Sequence, residues 1–177
     1  KEIFNWEKFS ELYKKEVINK NNNDIKYLNE NKDDYYINKY YDILNVLLTF
    51  ENNSFFELNR TRKGEHYFFI SKNKLSELSK KPQTTVNNYI NFLALLDFIE
   101  KVNYNDISLE SDIRINKNNR FNKVNILKIN DFYKIDKKIK ENILYVNKNK
   151  IKDRDLRIKN LKEKNETELL DKIYPNR

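Results

Sequence analysis

Apolar residues recur at helical spacing in two stretches near the start of the chain. The first stretch predicts an amphipathic helix over about residues 5–19. Its large apolar positions are Trp6, Phe9, Tyr13 and Val17. We expect the run NKNNND at 19–24 to end this helix, because asparagine side chains compete for backbone hydrogen bonds. A second helix is predicted from about Asp34 to Phe50. Its apolar face carries Ile37, Tyr40, Leu44 and Leu47.

Short aromatic and β-branched segments farther along the chain predict strands. HYFFI at 66–70 predicts one strand, and it follows a polar segment at 51–66 that holds the only glycine and predicts a loop. FIEKVNY at 98–104 and KVNILKI at 123–129 predict two further strands that pair with each other. The polar span 105–122 lies between them and is expected to be their connecting loop.

Two helices are predicted between the first and second strands. Ser71 is a good N-cap for a helix of about two turns, on which Leu75 and Leu78 form one apolar stripe. Pro82 cannot continue that helix but suits the first turn of the next one. The next apolar positions predict a longer helix over 82–96 with one buried face. These positions are Val86, Ile90, Leu93 and Leu96.

Beyond Asp136 the apolar pattern weakens. Residues 136–146 and 151–173 are compatible with helices, but the second segment is so charged that its apolar face is thin. We therefore expect three regions: a helical N-terminal extension at 1–35, a central domain at 36–135, and a basic helical extension or linker at 136–177.

The predicted order of strand, short helix, tight turn, long helix, strand, loop and strand is typical of one family. The stretch KLSELSKKPQTTVNNYINFLALLDFIEKV resembles the winged helix-turn-helix family over about residues 36–135. Asp97 departs from the family pattern, which has glycine where the long helix ends in a left-handed conformation. The resemblance implies an α+β, mainly helical fold: a winged helix-turn-helix with helical N- and C-terminal extensions. It also implies a recognition helix at 82–96 and a wing at 105–122.

The polar face of the helix at 82–96 has the chemistry that reading DNA requires. A recognition helix buries one face and presents short donors and acceptors to base edges in the major groove. Asparagine and glutamine can pair bidentately with adenine, and threonine methyl groups can contact thymine methyl groups, so an AT-rich target is expected. The residues expected to provide these contacts are Gln83, Thr84, Thr85, Asn87, Asn88 and Asn91.

Basic residues flank this helix and populate the predicted wing. The first group is expected to position the helix through phosphate contacts, and the second to contact the backbone or an adjacent minor groove. The first group comprises Lys72, Lys74, Lys80 and Lys81, and the hydroxyl of Ser71 is expected to contact DNA beside them. The wing group comprises Arg114, Lys117, Arg120 and Lys123.

The net charge of +8 is distributed unevenly along the chain. Residues 1–59 carry 8 basic against 11 acidic side chains, whereas 60–135 carry 14 against 8 and 136–177 carry 13 against 8. The excess of positive charge after Arg60 favours a polyanionic partner for that part of the chain. Frequent lysine, asparagine and isoleucine also indicate an AT-rich genome, which by itself makes surfaces rich in lysine.

The composition argues against several kinds of function. The chain has no cysteine, so it has neither disulfides nor thiolate metal sites, and one glycine cannot build a glycine-rich phosphate loop. His66, the only histidine, is expected to begin a strand and not to act as a catalytic base. The Asp33–Asp34 pair, whose carboxylates could in principle hold Mg²⁺ for a nuclease, is expected to begin a helix instead. We therefore expect no enzyme activity, no metal and no cofactor. We expect no signal peptide, and the sequence contains no apolar run of roughly 18 residues, so we expect a cytoplasmic protein without a membrane partner.

Double-stranded DNA is the partner that the sequence favours. The chain combines a helical lead-in, a long wing and a trailing basic segment, an arrangement similar to that of plasmid and phage replication initiators. The same arrangement equally suits a transcription or partition regulator. The alternative is a winged-helix protein-interaction scaffold without specific DNA binding, since a fold alone does not establish a function. The apolar face of the N-terminal helix predicts either a homodimer or packing onto the same chain. The C-terminal segment is expected to be an exposed helix, a partner-binding tail or a linker.

Overall fold

The computed structural model of the protein describes residues 5–54, 59–107 and 124–177. Two long helices, α1 (Trp6–Glu30) and α2 (Tyr35–Asn53), form an antiparallel hairpin at the start of the chain. The middle of the chain contains β1 (Phe68–Ser71), α3 (Lys72–Ser79), α4 (Gln83–Leu95), β2 (Ile99–Lys101), a 3-10 turn (Tyr104–Asp106) and β3 (Val124–Ile129). The end of the chain contains α5 (Asp136–Asn149), a 3-10 turn (Asp153–Leu156), α6 (Ile158–Glu163) and α7 (Thr167–Ile173).

The strands form one antiparallel sheet in the order β1-β3-β2. Residue Ile70 pairs with Asn125, and Lys101 pairs with Leu127. The predicted pairing of the second and third strands is therefore confirmed. An α+β, mainly helical fold is confirmed as well, because most of the described residues lie in helices around this small sheet.

Helix α1 is longer than the sequence pattern predicts, because it continues through NKNNND instead of ending there. The polar side chains of this run have partners in other elements. Asn21 donates to the carbonyl oxygen of Leu48 (2.6 Å), and Asp24 accepts from the backbone N–H of Phe132 (3.1 Å). Because these groups bond to α2 and to the segment after β3, they no longer compete with the backbone of α1. The predicted break at 19–24 was wrong.

The core lies where α1, α2 and α4 meet one face of the sheet. Its fully buried members include Leu28, Leu44, Leu47, Ile90, Leu93, Leu96 and Leu127. Tyr13 and Val17 of α1 are also buried within the same chain, whereas Trp6 near its start is 67% exposed. Within the described residues, no helix is both long and apolar enough to cross a bilayer.

The C-terminal segment packs on the rest of the protein and is not a free linker. Each of its short elements buries one or two apolar side chains in the common core. These are Ile139, Val146, Leu156, Leu161, Leu170 and Ile173. The apolar face of this segment is thin, but it suffices to hold the segment on the core, because each of several short elements has to bury only one or two side chains. The 3-10 turn at Asp153–Leu156 and helix α7 both contact α4.

Candidate nucleic-acid interface

Helix α3 begins and ends through local side-chain and backbone contacts. The hydroxyl of Ser71 accepts from the backbone N–H of Lys74 (3.0 Å), which confirms the predicted N-cap. The helix ends at Lys80, whose backbone is left-handed (φ 56°). In the turn, the hydroxyl of Ser76 donates to the carbonyl oxygen of Lys81 (2.6 Å). Of the two leucines in the predicted apolar stripe, Leu75 is buried, whereas Leu78 is 42% exposed and borders a groove with Phe50.

Helix α4 buries the predicted apolar face and presents a polar face over its first two turns. Pro82 precedes the helix, and its carbonyl oxygen accepts the first helical hydrogen bond from Val86 (3.0 Å). Gln83 and Thr84 are exposed, and Thr85, Asn87 and Asn88 are half-buried. These five side chains therefore stay accessible beside one another, although Gln83 also donates to Asn73 of α3.

Asn91 does not belong to this accessible face. It is only 2% exposed, its Nδ2 donates to the Tyr174 hydroxyl (3.2 Å), and its Oδ1 accepts from Lys101. The expectation that Asn91 contacts bases was wrong, because residues after α7 cover this turn of α4. The accessible polar face therefore ends with Asn88, about one helical turn before Asn91.

An aromatic and basic edge adjoins the polar face on the side of α2. The Tyr89 ring packs edge-on against Tyr40, with 4.8 Å between the ring centroids. The ammonium groups of Lys39 and Lys81 lie 5.8 and 5.9 Å from the Tyr89 ring centroid. Tyr89 and Lys39 were missed by the sequence reasoning. The helical spacing of α4 could have indicated Tyr89, but nothing local relates Lys39 to it.

The lysines predicted to contact phosphates surround the start of α4. Lys74 and Lys80 are exposed, and Lys72 and Lys81 are half-buried. In the part of the chain that the structure describes, none of the four forms an ion pair with a carboxylate. Their charges are therefore available to an external anion. The wing group, Arg114, Lys117, Arg120 and Lys123, lies outside the described residues.

Helix α4 ends in a left-handed residue, as the resemblance implies. Asp97 has φ 69°. The N–H of Phe98 donates to the carbonyl oxygen of Leu93 (3.1 Å), and the N–H of Asp97 donates to the carbonyl oxygen of Ala94 (3.2 Å). This pair of bonds is a Schellman motif. The Asp97 carboxylate accepts a hydrogen bond from Asn142 of α5 (2.8 Å). A glycine at this position could not make this contact.

The residues weighed for catalysis have structural contacts. His66 is half-buried, bonds through Nδ1 to the Tyr13 hydroxyl, and bonds through Nε2 to the Ser54 hydroxyl (2.9 Å). Burial lowers the pKa of His66 to about 4. Asp34 caps α2 by accepting from the backbone N–H groups of Tyr36 (2.9 Å) and Ile37 (3.0 Å).

Comparison of the chain with protein-family models, curated proteins and solved structures found no significant match.

Proposed function

We propose that the protein binds double-stranded DNA in a sequence-specific way, as a winged-helix protein that inserts the first two turns of α4 into the major groove. The observation that carries the proposal is the accessible polar face of α4, surrounded by four lysines that pair with no carboxylate of the described residues. The sheet order β1-β3-β2, with α3 and α4 between β1 and β2 in the chain, supports a winged-helix arrangement.

In this arrangement α4 reads bases and the surrounding lysines bind phosphates. The major groove is wide enough to admit a helix, and amide side chains can pair with adenine. Thr84 and Asn88 lie one helical turn apart on the accessible face, so they can contact neighbouring bases. Lys72, Lys74, Lys80 and Lys81 contribute affinity that does not depend on sequence and that falls as salt rises, because bound counterions are released.

The test is selection of binding sites from random-sequence duplex DNA at near-physiological salt. We expect the protein to recover an AT-rich motif, and the double variant Asn87→Ala, Asn88→Ala to recover none while remaining folded. The matched control is Asn22→Ala, Asn23→Ala, which removes two adjacent exposed asparagines from α1. Retention of the motif by the α4 variant would overturn the assignment of α4 as the reading helix.

The recovered motif would also separate the remaining roles. Two half-sites would indicate a dimer, and the location of the motif in the parent genome would separate a replication initiator from a transcription or partition regulator. Failure to bind DNA even at low salt would favour the scaffold alternative. An apolar groove of about 430 Å³ between α2 and α3, lined by Val46, Phe50 and Leu78, is the surface that a protein partner would then occupy.

A further inference from the structure

A small open cavity lies where the ends of β2 and β3 meet the last residues of the chain. Its volume is about 270 Å³, and its polar lining includes Lys101, Asn125, Tyr174, Asn176 and Arg177. No aspartate or glutamate among the described residues lines it. Arg177 already pairs with Asp171 (2.7 Å), whereas Lys101 has no carboxylate partner among the residues that the structure describes.

Lys101 is half-buried, and no counter-charge pairs with it in residues 5–54, 59–107 and 124–177. Its ammonium donates to Oδ1 of Asn91 and lies 5.2 Å from the centroid of the Tyr174 ring, and it pairs with no carboxylate in the described part of the chain. Desolvation, and to a lesser degree the charge of Lys72, lowers the pKa of Lys101 to about 8. Proteins rarely bury a lysine ammonium unless it is paired, because desolvating an unpaired charge is unfavourable.

Asn125 contributes a donor that has no acceptor among the described residues. Its Nδ2 is buried, and no described group accepts a hydrogen bond from it. Asn125 lies two residues from Leu127 on β3, and Leu127 pairs with Lys101, so Asn125 and Lys101 are on the same face of the sheet. A buried donor without an acceptor is uncommon in folded proteins and calls for an explanation, such as a bound water or ion. The side chains of Asn125 and Lys101 line the same cavity.

We propose that this cavity binds a phosphate group, with the Lys101 ammonium and the Asn125 amide as its donors. A phosphate supplies the missing negative charge and an acceptor oxygen, and it is small enough for the cavity. Lys101 donates to Asn91, which lies one helical turn beyond Asn87, so this lining residue contacts the turn of α4 that follows the accessible polar face. The DNA backbone is therefore the expected source of the phosphate, and this source rests on the proposed function.

The experiment uses two variants and two probes. Lys101→Met removes the ammonium, and Asn125→Leu removes the amide while keeping the branched shape of the side chain. The control, Lys137→Met, removes an exposed lysine at the start of α5. Inorganic phosphate is titrated while backbone amide NMR signals of Lys101 and Asn125 are followed. Binding to a DNA duplex is measured over a salt series. Neither variant breaks an ion pair with a described carboxylate, so both should fold. The melting temperature of Asn125→Leu should be no lower than that of wild type, because the lost amide has no described hydrogen-bond acceptor.

We expect both variants to lose the phosphate-dependent NMR shifts, and Lys101→Met to reduce the slope of log K against log salt by about 0.9. Lys137→Met should change neither. If the NMR shifts are lost but the DNA slope is unchanged, the site binds a free phosphate rather than the DNA backbone. If wild type binds phosphate but no DNA, the proposed function fails and the site stands. If both variants bind both probes as wild type does, the phosphate site is overturned.

Discussion

The carboxylate of Asp97 lies 2.7 Å from the ammonium of Lys172, which joins the end of α4 to helix α7. Lys172 also donates to the carbonyl oxygen of Leu95 (2.7 Å), so one side chain satisfies both the carboxylate and the last turn of α4. Asp97 is only 3% exposed, and its backbone is left-handed, a conformation that favours glycine. The ion pair explains why aspartate occupies this position despite its backbone conformation.

Replacing Asp97 should therefore separate the backbone effect from the charge effect. We expect Asp97→Ala to lower the free energy of unfolding by roughly 2–4 kcal/mol, because it removes a buried ion pair and leaves a β-carbon in a left-handed residue. Asp97→Gly should lose about 1 kcal/mol less, since glycine adopts this conformation without strain. Urea unfolding measures both values. Equal losses of stability in the two variants would show that the left-handed backbone does not strain a residue that has a β-carbon.

Asn91 should affect stability and not base recognition. Asn91→Ala removes the acceptor of Lys101 and one partner of Tyr174, so we expect the free energy of unfolding to fall by about 1–2 kcal/mol. The DNA motif recovered by the variant should match that of wild type. Asn88→Ala, on the accessible face, should show the opposite result: an altered motif and nearly unchanged stability. A motif altered by Asn91→Ala would contradict the covered position of this side chain.

The two leucines of α3 should differ in their contribution to stability. Leu75 is fully buried in the core, whereas Leu78 borders the open groove next to Phe50. We expect Leu75→Ala to lower the free energy of unfolding by about 3 kcal/mol, and Leu78→Ala by less than about 1 kcal/mol. Urea unfolding of the two variants is the measurement. A large loss for Leu78→Ala would mean that its side chain is packed in solution.

Glu51 should make stability depend on pH near neutrality. It is 1% exposed, and its carboxylate oxygens lie 3.3 Å from the ammonium of Lys20, which also pairs with Asp24 (2.7 Å). Burial raises the pKa of Glu51 to about 7, from about 4.5 for a solvated glutamate. Between these values the folded state binds more protons than the unfolded state, so the free energy of unfolding falls as pH rises.

The Glu51→Gln variant isolates this effect. Glutamine does not titrate, so we expect the variant to gain stability relative to wild type as pH rises from about 5 to about 8. The lowered pKa of His66 makes the free energy of unfolding rise with pH up to about pH 6.5. This contribution is present in both wild type and Glu51→Gln, so it largely cancels when their stabilities are compared. Urea unfolding at several pH values gives this difference. A difference that stays constant over the range would show that Glu51 does not titrate there.

Much of the candidate interface could be predicted from the sequence because its determinants are local. Ser71 caps α3 through a residue three positions away, and Pro82 separates α3 from α4. The spacing of apolar positions on α4 predicted its buried face, and with it the accessible positions from Gln83 to Asn88. Helical periodicity and caps depend on neighbours within one or two turns, so they can be recognised without the tertiary structure.

The tertiary structure decided which of these polar residues stay accessible and which lysines carry unpaired charge. Asn91 continues the polar pattern of α4, but it is covered by Tyr174, which lies 83 positions later in the chain. Lys101 and Asn125 come together only through pairing with β3. Helix α1 continues through its asparagine run because its hydrogen-bond partners come from α2 and from the segment after β3. The sequence by itself determined the local elements and the polar face of α4; burial and charge pairing between distant residues depend on packing, which local patterns do not encode.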